Sequence, residues 1–330
     1  MAGRGSRLRP HTLTVPKPLV PVAGKPIVQR LAEDLTASLS EPVEKIAFVI
    51  GDFGDEVPAQ LKQIAAGLGA EGFVYTQDEP LGTAHALLCA ADLMEGPTMI
   101  AFADTLFQAD FSFDPQAEGG IIWAQQVDDP SAFGVLKLDG EGYITDFVEK
   151  PTEFVSDLAI VGIYYVRDGA QLRRALQHLI DNDIKDKGEY QLTNGLEILK
   201  EQGVKFRPGK VTEWLDCGNK SAVVHTHERI LALKAGTEQL RHDTATVENS
   251  VVVEPCFLGE GARVVNSVVG PYVSLGHGST IDSSVVRNTI VQDDTVVTGA
   301  NLADSMIGNH ATYTGTPADV SAGDYSELTQ

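Results

Sequence analysis

The first eighteen residues, MAGRGSRLRPHTLTVPKP, gather residue types suited to binding a polyphosphate. Gly3 and Gly5 allow positive backbone φ and lack a Cβ, so the chain can turn tightly and aim successive N–H groups at one anion. Arg7 follows Gly5 by two residues, and Lys17 stands between Pro16 and Pro18. Both add fixed positive charge beside that cradle. Oxygen ligands for a hard cation such as Mg²⁺ are available at Asp104, which ends the apolar run TMIAFAD, and at Asp216 in WLDCG. In α/β sheets ligands collect at the carboxyl ends of strands, which is where Asp104 falls. Taken alone, each aspartate is more often a turn or helix-cap residue.

These side chains need a scaffold. Up to about residue 235, strand-like apolar runs alternate with helical periodicity, the pattern of an α/β domain. KIAFVI, GFVYTQ, TMIAFAD and LAIVGIYYV read as buried strands. EVPAQLKQIAAGL, TAHALLCAADLM, QLRRALQHLI, GEYQLTNGLEILKEQ and SAVVHTHERILALKA read as helices. GIIWAQQV, FGVLKLD and YITDFVEK are shorter strands with turn signals between them, a β-rich insertion.

Composition narrows the class. At 330 residues the chain can hold two ordinary domains, and its hydrophobic content of 43% is that of a globular protein. A net charge of −21 speaks against a nucleic-acid surface but not against a local positive pocket for a nucleotide. The same acidity suits a soluble surface in general or, more specifically, a salty cytoplasm. No apolar run is long enough to span a membrane, and the N-terminus has no secretory character. Cys89, Cys217 and Cys256 lie far apart, which argues against a disulfide framework or zinc site and for a reducing cytoplasm.

Beyond Gly236 the pattern changes. A polar stretch is followed, from Val251, by branched apolar residues at a spacing near six. Val252, Leu258 and Val264 form one register, Val269, Leu275 and Ile281 a second, and Ile290, Val296 and Leu302 a third. Such a period predicts a parallel β-helix, each hexad forming one face of a triangular coil.

GRGSRLRPHT and VPKPLVPVAGKP, with Arg7 and Lys17 ten residues apart, resemble the signature of the sugar-1-phosphate nucleotidylyltransferases, the NDP-sugar pyrophosphorylases. The resemblance is strongest to glucose-1-phosphate thymidylyltransferases and their relatives with a C-terminal left-handed β-helix. It implies a Rossmann-like nucleotidyltransferase domain with a mostly parallel sheet over residues 1–235, a linker at 236–249, and a hexapeptide-repeat left-handed β-helix with a tail at 250–330. The implied reaction is Mg²⁺-dependent transfer of a nucleotidyl group from an NTP, dTTP or UTP foremost, to a sugar-1-phosphate, glucose-1-phosphate foremost. Arg7 and Lys17 would be catalytic, and Ala2, Gly3, Gly5 and Ser6 would cradle the triphosphate. Gln77 and Gly82 would read the base, and Asp104 and Asp216 would hold the metal. Gly134, Glu149, Lys150 and Gly162 would meet the sugar phosphate. A cytoplasmic homo-oligomer, assembled through the β-helix, is also implied.

Two departures bear on these expectations. Asn194 stands where relatives usually have aspartate. Relatives also place a central strand ahead of the glycine loop, where this chain has only two residues. The expectation is therefore that Met1 is an internal methionine and that the natural protein begins upstream; the rival is a weakened or inactive member. The alternative activities are a mannose-1-phosphate guanylyltransferase and a non-catalytic regulator that binds nucleotide-sugar. An acyltransferase β-helix is disfavoured, because the repeat is short and His277 and His310 are its only histidines.

Overall fold

A computed structural model describes residues 5–109, 119–316 and 318–327. The chain forms two compact units, Met1–Val20 with Pro26–Gly218, and Pro21–Lys25 with Asn219–Gln330.

The elements of the first part of the chain, in order, are a hairpin of β1 (Pro21–Val22) and β2 (Lys25–Pro26), then α1 (Ile27–Ser38), β3 (Lys45–Ile50), α2 (Glu56–Gly67), β4 (Glu71–Thr76) and α3 (Thr83–Leu88). There follow β5 (Thr98–Ala101), β6 (Thr105–Ala109), β7 (Gly120–Gln126), β8 (Gly134–Leu138), β9 (Ile144–Glu149) and β10 (Leu158–Val166). α4 (Gly169–Asp181), α5 (Leu192–Glu201) and β11 (Phe206–Asp216) complete the series before α6 (Lys220–Lys234). The helix expected over TAHALLCAADLM ends early, because Cys89 N–H bonds back to both His85 and Ala86 carbonyls and a 3₁₀ turn at Ala91–Leu93 follows.

A seven-stranded sheet runs in the order β6-β11-β7-β10-β8-β9, with β5 also on β10. Its core includes Ile122, Leu136, Leu172, Leu176 and Leu196, each fully enclosed. The expected Rossmann-like α/β architecture holds, but the sheet is mixed rather than mostly parallel. Only β11 on β7 is parallel within it; β10 is antiparallel to β5, β7 and β8, β8 to β9, and β11 to β6. One short connection, from β8 to β9, forms a hairpin; the other antiparallel pairs join strands far apart in sequence.

β3 and β4 form a separate parallel pair. Among the described residues no strand lies on the other edge of β3 or of β5. A cleft of about 1110 Å³ runs along both edges, lined also by apolar Leu31 and Leu35 of α1 and Leu87 of α3.

The second unit is a parallel β-solenoid whose strands stack in ladders of five, four and four. Val251 stacks on Val268 and Val268 on Val285 at seventeen-residue intervals, and Val285 on Asn301 at sixteen. The strict hexad is therefore too long. The third register expected from it slips by one: Val296 is 41% exposed while Val297 is fully buried. Corners close with left-handed residues such as Asn249, Asn266 and Ser283, which turn the chain in fewer residues. Serines satisfy the corner donors: Ser250 Oγ accepts from Ser267 N–H at 2.9 Å, and Ser267 Oγ from Ser284 N–H at 3.0 Å. α6 packs in this unit, where its His227 Nδ1 accepts from Ala23 N–H at 3.1 Å. No helix among the described residues is long and apolar enough to cross a membrane.

Leu275 is wholly enclosed, so Leu275→Ala should cost about 2–5 kcal/mol by transfer and cavity terms. Val268→Ala, on the outer face, should stay within roughly 0.5 kcal/mol. Urea denaturation of the two variants measures the difference; equal losses would contradict the assignment of inner and outer faces.

Candidate active site

The glycine loop folds as expected from Gly5 onward; Ala2 and Gly3 lie outside the described residues. Gly5 adopts φ 58° and leads into a 3₁₀ turn, Ser6–Leu8. A Cβ at Gly5 would come within 2.9 Å of Lys17 Cβ, and Thr12 Oγ1 donates to Gly5 O at 2.7 Å. Glycine is thus demanded both by φ and by the close approach of Lys17. The loop and the lysine segment are one packed object, and Thr12 is its internal tie.

Lys17 opens a second 3₁₀ turn, Lys17–Leu19, and is buried. Its Nζ lies 3.4 Å from Asp104 Oδ2. Asp104 sits in the turn between β5 and β6, exposed. Asp216, at the end of β11, pairs in register with Thr105, and Cys217 N–H donates to Asp104 O at 3.2 Å. The two carboxylates therefore occupy neighbouring strand ends although they are far apart in sequence. Gly218 N–H donates to Asp216 Oδ1 at 2.9 Å. A Cβ placed on Gly218 would stand 2.8 Å from Asp216 Oδ2 and 3.4 Å from Arg7 Nη2, which puts Arg7 at the same spot. Arg7, Lys17, Asp104 and Asp216 converge.

A donor set of two carboxylates fits Mg²⁺, which usually takes one or two protein carboxylates and completes its shell with phosphate oxygens and water. It does not fit a closed protein cage: no group of three or more such ligands occurs among the described residues.

Gly5, Ser6, Arg7, Lys17, Gln77, Gly82 and Asp104 all border the 1110 Å³ cleft. Gln77 caps β4 and is buried. Gly82, at φ 117°, starts α3; a Cβ there would lie 2.4 Å from Tyr190 O, so no other residue fits.

The sugar-phosphate candidates form a second group on β8, β9 and β10. None of them lines the cleft itself. Gly134 pairs with Glu149, and a Cβ at Gly134 would lie 3.0 Å from Glu149 Oε2. Lys150 follows at φ 43°, with Nζ 3.7 Å from Glu149 Oε1. Gly162 packs on Phe102, which donates its N–H to Gly162 O at 3.0 Å. The two groups meet at buried Tyr164: burial first, then the charges of Glu149 and Asp104, hold its hydroxyl above the usual phenol range.

Sequence reasoning missed Lys187. Its Nζ donates to the carbonyls of Glu149 at 3.0 Å and Lys150 at 2.6 Å, tying down the left-handed turn. It missed Trp214 as well, whose indole N–H donates to Thr105 Oγ1 at 2.5 Å and whose ring meets Phe133 at 4.8 Å. Neither contact leaves a periodic or local signal; only the W of WLDCG hinted at the second. Asn194 lies in the first turn of α5 and is not its cap, which is Gln191.

Lys17→Ala and Asp104→Asn should each lower turnover at least about tenfold, the scale of lost charge stabilisation. Steady-state rates measure this, and near-normal rates in both would place the site elsewhere.

Comparison with known proteins identifies the family. The nucleotidyl transferase family model matches residues 1–232. The chain is 30% identical over 324 residues to a glucose-1-phosphate thymidylyltransferase of Streptomyces antibioticus, covering 95% of this chain and 87% of that one. It is 30% identical over 260 residues to the low-salt glycan biosynthesis nucleotidyltransferase Agl11 of Haloferax volcanii, covering 76% and 70%. In fold it matches a crystal structure of UDP-glucose pyrophosphorylase complexed with UDP-glucose, with a TM-score of 0.56, 22% identity, and coverage of 70% and 96%. The chain belongs to the nucleotidyl transferase family, among the enzymes that act on an NTP and a sugar-1-phosphate.

Proposed function

We propose that the chain transfers a nucleotidyl group from dTTP or UTP to glucose-1-phosphate, releasing pyrophosphate. The observation that carries this reading is the convergence of Arg7, Lys17, Asp104 and Asp216 beside a cleft that also holds Gln77 and Gly82. A sugar-phosphate oxygen forms a bond to the α-phosphorus while the bond from that phosphorus to the bridging oxygen of pyrophosphate breaks. Both reactants are anions, so the first task is to offset their repulsion and the second is to hold them in line.

Loop N–H groups from Gly5 and Ser6 receive the triphosphate, and Arg7 neutralises the departing pyrophosphate. Lys17, buried and fixed beside Asp104, sets positive charge where the α-phosphate carries most negative charge in the transition state. Asp104 and Asp216 would hold Mg²⁺, which supplies charge neutralisation and a template for phosphate oxygens. Glu149 and Lys150, on a turn pinned by Lys187, orient the sugar phosphate. The Gln77 amide and Gly82 face the base.

The β-solenoid serves assembly of a cytoplasmic homo-oligomer.

Pyrophosphate release with dTTP, UTP, GTP, CTP and ATP against several sugar-1-phosphates tests the reading. The 330-residue chain should be assayed with and without a chelator. The expected result is dTTP or UTP with glucose-1-phosphate and loss on chelation restored by Mg²⁺. Preference for GTP with mannose-1-phosphate would instead support the guanylyltransferase reading. Binding of nucleotide-sugar without turnover would support the regulatory one.

A further inference from the structure

The amide of Gln77 is held in one orientation. The side chain is 7% exposed, and its backbone N–H donates to Ile50 O at 2.7 Å. Its Nε2 donates to Gly82 O at 3.1 Å and lies 3.0 Å from Nδ1 of His85. A carbonyl oxygen only accepts, so the amide must turn its nitrogen toward Gly82. The second proton on that nitrogen then meets His85 Nδ1, which can accept it only when that ring nitrogen carries no proton. The neutral ring therefore bears its proton on Nε2.

Both partners of the amide sit on one short element. Gly82 precedes α3 and His85 lies within it. The helix start is anchored by Ala84 N–H on Tyr190 O at 2.9 Å and by Tyr190 N–H on Leu81 O at 2.8 Å. The clamp is thus part of the framework that forms the cleft wall.

With both amide protons engaged, Gln77 presents Oε1, an acceptor. A base edge meeting that oxygen must bring an N–H. At the ring nitrogen of the pairing edge, thymine and uracil offer N3–H and guanine offers N1–H. Cytosine and adenine set a lone pair there and carry N–H only on the exocyclic amine, so Oε1 separates the two groups when it meets the ring nitrogen. Sites built around one such hydrogen bond reject analogues that lack it, because a buried polar group is left unpaired.

We infer that His85 is a positioning residue for nucleobase selection: by accepting one proton of the Gln77 amide, it keeps that amide facing the base as an acceptor. The inference rests on the reading that Gln77 faces the base.

The test uses the full chain and the variants Gln77→Ala, His85→Phe and His85→Asn, with kcat and KM for UTP and CTP and calorimetric Kd for each. His85→Phe should raise KM and Kd for UTP about five- to tenfold, the size of one lost neutral hydrogen bond, with kcat and the CTP values nearly unchanged. His85→Asn, whose amide oxygen can accept the same proton, should recover most of the loss. Gln77→Ala should abolish the preference for UTP over CTP. If Gln77→Ala leaves that preference intact, the base-reading role itself fails. If Gln77→Ala abolishes it while His85→Phe leaves the UTP constants unchanged, the role of Gln77 stands and the inference about His85 is overturned. Independently of folding in the variants, ¹⁵N NMR of the His85 ring should show the Nε2–H tautomer at neutral pH. The Nδ1–H tautomer would overturn the inference.

Discussion

The antiparallel register of β6 on β11 is the constraint on which the site depends. It sets Asp216 opposite Thr105 and brings Cys217 N–H to Asp104 O, so two distant carboxylates share one strand end. A slip of one residue would turn each side chain to the opposite face and separate them. Trp214 guards the register from both sides, through its bond to Thr105 Oγ1 and its edge contact with Phe133. Lys17 and Arg7 then take positions defined by those carboxylates and by Gly218.

The chain carries a net charge of −21, yet its reactants are anions. A strongly acidic surface repels such ligands at long range, and the positive field of the site must act locally. Burial of Lys17 serves this need, since charge interactions strengthen as water is excluded. Gly5 packs closely against Lys17, a Cβ on it falling 2.9 Å from Lys17 Cβ, so the proposed phosphate cradle and that charge lie side by side.

The proximity of Arg7, Lys17 and Gly5 was legible in the sequence because they lie within one short segment. Asp104 and Asp216 were legible only through the order of family motifs, since their proximity arises from strand pairing that leaves no local trace. Lys187, Thr12 and His85 were not singled out, because ties from a loop to a carbonyl or an amide have no periodicity. The alternation of strands and helices located most elements. It could not disclose that strands distant in sequence pair antiparallel and make the sheet mixed, or that Phe102–Asp104 break the TMIAFAD run into a turn. In the solenoid the apolar spacing revealed the architecture, while left-handed corner residues shortened each coil below three hexads and shifted the last register.

Asp104 and Asp216, brought together by strand pairing, would act as one cation site. Mn²⁺ binding followed by electron paramagnetic resonance, with nucleotide present, tests it most directly in the unaltered chain, Asp104→Asn, Asp216→Asn and the double variant. Either single substitution should weaken binding nearly as much as both together, because each removes half of one shared site. Undiminished Mn²⁺ binding in either single variant would contradict the account.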